Sequence, residues 1–99
     1  MRTRELQSRA RRGAKALDKK LPNWFRQNKI SITTLDLQEP HHCVVGQLRL
    51  EIPRGAHDLG GVTMYDADMG FAAYEPGDYP RLTAIWVEEI RARRRTVTS

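Results

Sequence analysis

Asp78-Tyr79-Pro80-Arg81-Leu82-Thr83-Ala84-Ile85-Trp86-Val87-Glu88-Glu89-Ile90-Arg91-Ala92-Arg93-Arg94-Arg95 is the stretch whose reading decides the fold class. Leu82, Ile85, Trp86 and Ile90, with Val87 beside them, recur at three- and four-residue steps, so one side of a helix is apolar. Asp78 suits the N-cap and Pro80 the first turn. Glu88 precedes Arg91, and Glu89 precedes Arg93, by one turn, an acid-before-base order that supports a helix by about 0.3 kcal/mol per pair. The arginines at its end face the negative end of the helix dipole. The spacing predicts a helix over 80–94, followed by a loose tail over 96–99.

A second helix is expected over 4–20. Leu6, Ala10, Ala14, Leu17 and Leu21 fall on one stripe, surrounded by Arg9, Arg11, Arg12, Lys15, Lys19 and Lys20. Gly13 weakens its middle by about 1 kcal/mol relative to Ala. It either allows close packing or marks the end of a frayed first turn. Pro22 ends this helix or opens a short one over 23–28 that turns Trp24 and Phe25 inward. Residues 30–38 fit an extended segment as well as a helical turn capped by Ser31. Val44, Val45, Leu48 and Ile52 suggest a buried helix from His41 to about Leu50, limited by Gly46 and Pro53. Between 53 and 80 the chain is rich in Gly and Pro, and Phe71, Tyr74 and Tyr79 are expected to fold over the core as a clasp, with room for a short β-hairpin. The expected architecture is mainly α, a compact single domain over 1–99 with a turn-rich clasp, loose at 1–3 and 96–99. Trp24, Val44, Leu48, Phe71, Leu82 and Trp86 are its expected core.

Composition narrows the class of function. Hydrophobic residues make up 39% and charged residues 29% of the 99, a folding composition for one modest core. Cys43 is the single cysteine, which rules out an intramolecular disulfide and favours a reducing compartment. No apolar run approaches the ~18–20 residues needed to span a bilayer. No apolar signal core follows the basic N-terminus. The expected location is the cytoplasm of a bacterial cell.

Charge is sorted along the chain. Residues 1–29 carry ten Lys/Arg and two Asp/Glu, +8; residues 30–80 carry two and eight, −6; residues 81–99 carry five and two, +3; the total is the net +5. The basic 4–20 helix is the strongest candidate surface, since a row of cations can follow phosphates or meet an acidic protein face. It lacks the interleaved aromatics that stack on bases. Its apolar stripe is narrow and Ala-rich, a poor membrane insert. Arg9, Arg11, Arg12, Lys15 and Lys19 on this helix, with Arg91, Arg94 and Arg95 at the C-terminal end, are the candidate partner-binding residues. The acidic stretch Asp58–Asp78 is an alternative surface.

Other constellations read more simply as structure. His41-His42-Cys43 invites a metal, but neighbours on a helix point about 100° apart and cannot converge on one ion, even with His57. The same geometry denies Cys43 a base, so it reads as a small buried residue. Asp66-Ala67-Asp68-Met69-Gly70 starts like a calcium loop, yet Gly77 stands where the bidentate Glu belongs. Gln47-Leu48-Arg49-Leu50-Glu51-Ile52 is similar to the peptides that dock on the bacterial sliding clamp, a reading that requires exposed, extended residues. No catalytic arrangement, metal site or cofactor is expected.

Several spaced motifs occur together: Leu17-Asp18, Leu21-Pro22-Asn23-Trp24, Leu35-Asp36-Leu37, Cys43-Val44-Val45-Gly46-Gln47-Leu48, and Leu82-Thr83 with Trp86 and Ile90. In order over residues 17–95 they resemble a family of small proteins of actinobacteriophages and their hosts, whose pattern is close to LD…PGW…LDL…CVLGQL…LTxxWxxxI. The chain departs from it at Asn23, where Gly is more usual, and at Val45, where Leu is. The resemblance implies a phage or prophage origin and supplies no catalytic residues. With the small size, the missing catalytic arrangement and the sorted charge, it leads to the expectation of a non-catalytic binder that redirects or blocks a host process, its partner a host protein; the two basic ends offer nucleic-acid binding as the other reading.

Overall fold

The computed structural model of the chain describes residues 2–39, 41–48 and 67–98. Two long helices dominate: α1, Arg2–Lys20, and α3, Tyr79–Thr98; between them lies the single turn α2, Val44–Gln47. Short 3-10 turns occupy Ala67–Met69 and Pro76–Asp78. No strand occurs among the described residues, so the fold is mainly α. The turn-rich 53–66 and the hairpin it had room for lie outside the described residues.

α1 buries the stripe its sequence predicts: Leu6, Ala10, Ala14 and Leu17 are at most 1% exposed. Glu5 stands near its positive end, and Lys19 and Lys20 near its negative end. α3 buries Leu82, Trp86 and Ile90 at spacing four. It continues to Thr98, past the expected end at 94 and into the segment read as a loose tail; Thr96 Oγ1 donates to the Ala92 carbonyl. Arg93 meets Asp18 while Trp86 faces Gly13, so contacts run in the same order along both helices and the two lie side by side in the same direction.

The expected helix over 23–28 is replaced by consecutive turns. Asn23 has φ 68°, a left-handed conformation that no helix interior accommodates. The backbone then closes Trp24 N–H to Leu21 O and Arg26 N–H to Asn23 O. Trp24 and Phe25 still point inward, as expected. Residues 30–38 are neither strand nor helix, and Ile30, Leu35 and Leu37 are buried along an irregular path. Side chains fix that path: Thr83 Oγ1 on α3 accepts the Leu37 N–H, and Asp36 Oδ1 accepts the Gln38 N–H.

The expected helix from His41 starts later, at Val44, because Cys43 takes the N-cap: its Sγ accepts the Gly46 N–H at 3.2 Å. Gln47 binds three backbone groups. Its Oε1 accepts the Ser31 N–H at 2.7 Å, and its Nε2 donates to Ser31 O and His42 O at 3.0 Å each. That side chain joins two loops that share no ladder, meeting the need of their backbone groups for partners.

All six expected core residues are buried. Trp86 sits at the centre. Its ring stacks on Phe71 at 5.5 Å, meets Trp24 edge-on at 5.9 Å, and its Nε1–H donates to Gly70 O at 2.6 Å. Tyr79 is half-buried, whereas Tyr74 departs from the expected clasp: it is 62% exposed and lies outside the core. Two glycines let segment 67–71 press on α1. A Cβ on Gly13 would fall far inside contact distance of the Met69 carbonyl oxygen. One on Gly70, whose φ is +75°, would lie 2.5 Å from the Ala10 Cα.

Candidate functional surface

Helical geometry sorts the α1 cations. Arg4, Ser8, Arg11, Lys15 and Lys19 follow one another at steps of four, three, four and four residues, so they share one line on the helix. All five are exposed, opposite the buried stripe. The line extends about 22 Å from Arg4 to Lys19. Arg9 and Arg12 lie to one side of it, over the 67–75 segment. The Arg9 guanidinium sits 4.9 Å from the centre of the Tyr74 ring, and Arg9 also pairs with Glu5 at 3.6 Å. Arg12 Nη1 reaches the Asp68 carbonyl at 3.5 Å, and the Tyr74 hydroxyl donates to the Asp68 carboxylate. The described part of the clasp thus meets Arg9 and Arg12 through a tyrosine ring and a backbone carbonyl, not through its carboxylates. No described carboxylate pairs with Arg11, Lys15 or Lys19 in a salt bridge. Asp58 and Asp66 of the acidic stretch lie outside the described residues.

The C-terminal arginines serve different ends. Arg93 Nε and Nη2 donate to the two oxygens of Asp18 at 3.1 and 3.0 Å, and its Nη1 reaches Glu89 Oε1 at 3.2 Å. Trp24 Nε1–H also donates to Asp18, at 2.8 Å, and the Arg93 guanidinium lies 5.7 Å from the Trp24 ring. This node ties α1, α3 and the 22–25 turn together. Arg94 Nε and Nη2 donate to Phe25 O and Ile30 O at 2.7 and 2.6 Å, so this candidate binding residue holds the 25–30 loop in place. Arg91 pairs with Glu88 at 3.5 Å. Because Arg93 faces α1, Arg91 and Arg95, two residues either side, point about 160° away from it around the helix. The N-terminal and C-terminal cations therefore do not form one basic face.

Burial by itself would raise the Asp18 carboxyl, but Arg93 and the Trp24 N–H outweigh it and hold it below its ordinary value of 3.8. Burial would likewise lower the Arg93 guanidinium, and Asp18 and Glu89 raise it instead. A carboxyl depressed on folding contributes stability that is fully present above its unfolded value and is lost as pH falls through the folded one. Asp18→Asn is therefore expected to cost about 1 kcal/mol at pH 7, a hydrogen-bonded charge pair discounted for its solvent exposure. The gap from wild type should be smaller at an acid pH below 3.8, where stability is lost as Asp18 protonates. Melting curves of both proteins at the two pH values check this; a gap that stays constant would deny Asp18 this role.

His41 and His42 are exposed while Cys43 turns inward, so the three do not converge. Burial pushes the Cys43 thiol up, away from the thiolate form. No group of three His, Cys, Asp or Glu positioned for a metal occurs among the described residues. His57, and Asp66 of the calcium-like motif, lie outside them. Of the clamp-like peptide, Gln47 is committed to Ser31 and His42 and Leu48 is 1% exposed, so these two are not the extended anchors that reading requires; residues 49–52 lie outside the described residues. A surface groove lined by Pro22, Phe25, Ala92 and Arg93 runs beside Asp18, its two charged groups already tied to each other. No described helix is long and apolar enough to cross a membrane.

Two members of the surface were missed in sequence. Arg4 shares the Arg11 line two turns earlier, a signal the spacing carried. Tyr74 carried no signal separating it from Phe71, since both are aromatics in the same turn-rich segment. No family model, curated protein or solved structure matches this chain.

Proposed function

We propose that this chain is a non-catalytic accessory protein of phage type that acts in the cytoplasm of an actinobacterial host by binding a host protein and altering its activity. One observation carries the choice of a protein partner. Tyr74, the large apolar residue exposed among those described, is fixed by Asp68 and Arg9 at the edge of the basic face of α1. Tyr and Arg are the residue types that anchor protein interfaces, and an anchor already held in place loses less entropy on binding. Arg9 and Arg12, beside Tyr74, would meet an acidic rim and speed encounter. The resemblance to phage and prophage proteins supports the host setting. The left-handed Asn23 is compatible with it, since the glycine of that pattern adopts such a φ without strain.

The test is retention of host proteins from nuclease-treated lysate by wild type and by Tyr74→Ala, both shown folded by circular dichroism. A stoichiometric protein retained by wild type and reduced at least about ten-fold by Tyr74→Ala is expected. No stoichiometric protein retained by wild type, or equal retention by both proteins, would contradict the reading.

A further inference from the structure

We propose that the outward line of α1, Arg4, Arg11, Lys15 and Lys19, is a second binding surface that docks on the phosphate backbone of duplex nucleic acid, independently of the Tyr74 corner. The line is exposed throughout and carries four cations and one serine. The two acidic residues of the helix flank it and are engaged elsewhere, Glu5 with Arg9 and Asp18 with Arg93. Cations one turn apart are about 6 Å apart along a straight axis. That is an array for a regular polyanion, read by charge without base contacts.

The character of the line separates its occupants. A protein interface core is enriched in aromatic residues and depleted in Lys, and this line has Lys and no aromatic. A membrane-surface helix needs an apolar face to insert, and the apolar face of α1 is buried against Trp86 and Phe71. A phosphate backbone needs only the cations. The C-terminal arginines take no part, because Arg94 holds the 25–30 loop and Arg91 and Arg95 point away from α1.

The experiment measures fluorescence anisotropy of a labelled duplex of about 20 base pairs with the whole purified protein, from 50 to 200 mM salt. Four phosphates neutralised give a slope of log affinity on log salt of about −3.6, a loss of about 100-fold over that range. Lys15→Gln/Lys19→Gln should bring the slope to about −1.8, while Arg91→Gln/Arg95→Gln leaves it unchanged. All substituted side chains are exposed, and circular dichroism confirms the fold of each variant. No duplex binding at 50 mM salt, or a slope lowered equally by the Arg91/Arg95 pair, overturns the proposal. So does equal or tighter binding to polyglutamate, which assigns the line to acidic protein, or to phosphatidylglycerol vesicles, which assigns it to lipid. With no host protein present, this outcome is separate from that at Tyr74.

Discussion

Gly70→Ala is expected to lower the melting temperature by about 15 °C or more, a larger effect than the same change at Gly13 or Gly77. Two costs act together. The native φ of +75° places an L-residue in the left-handed region, at about 1–2 kcal/mol. The added Cβ would also lie 2.5 Å from Ala10 Cα, 2.6 Å from Ala10 N and 2.8 Å from the Arg9 carbonyl carbon. These are backbone atoms of a continuous helix, so no rotamer change relieves the overlap, and segment 67–71 must move off α1 at a further ~1–3 kcal/mol. The movement would also stretch the bond from Trp86 Nε1 to Gly70 O, at the centre of the core. A melting temperature within about 4 °C of wild type would show that the crossing is not closely packed.

Gly13→Ala reverses the usual rule for helices. In an exposed helix interior this change gains about 1 kcal/mol. Here the new methyl would run into the Met69 carbonyl oxygen and stand 3.1 Å from Trp86 Cζ2. The overlap costs about 2–3 kcal/mol, so the net change is a loss of about 1–2 kcal/mol, or roughly 8 °C in melting temperature. Gly77→Ala supplies the control, because nothing lies within 4 Å of its Cβ direction. Denaturant titration of the three variants should rank them Gly70, Gly13, Gly77 from most to least damaging. A stabilised Gly13→Ala would mean that segment 67–69 does not sit on α1.

These glycines show where reading the sequence works and where it stops. Leu82, Trp86 and Ile90, and Leu6, Ala10, Ala14 and Leu17, were legible because helical spacing is a local signal. The two open readings of Gly13 resolve in favour of close packing, for the partner that demands it, Met69, lies far along the chain. The turns at 22–30 were misread because Trp24 and Phe25 face inward whether the backbone is helical or not, and the left-handed φ of Asn23 decides against a helix. The late start of α2 depends on a sulfur cap, an acceptor weaker than the usual oxygens.

The surface was legible in part, for a related reason. Charge sorting marks cations but not their employment. Arg93 and Arg94 resemble Arg91 and Arg95 in sequence, yet Arg93 binds Asp18, 75 residues earlier, and Arg94 binds carbonyls 69 and 64 residues earlier. Such pairings leave no local trace. What remains outward on α1 is the line from Arg4 to Lys19, whose cations no described carboxylate pairs in a salt bridge.

The central claim is that the protein meets a host protein at the Tyr74 corner. A photo-crosslinking amino acid placed at position 74 tests it inside host cells, with position 41, exposed and outside α1, as the control. The account predicts a discrete protein adduct from position 74 that survives nuclease treatment and is absent from position 41. An equal adduct from position 41, or none from position 74, would contradict it.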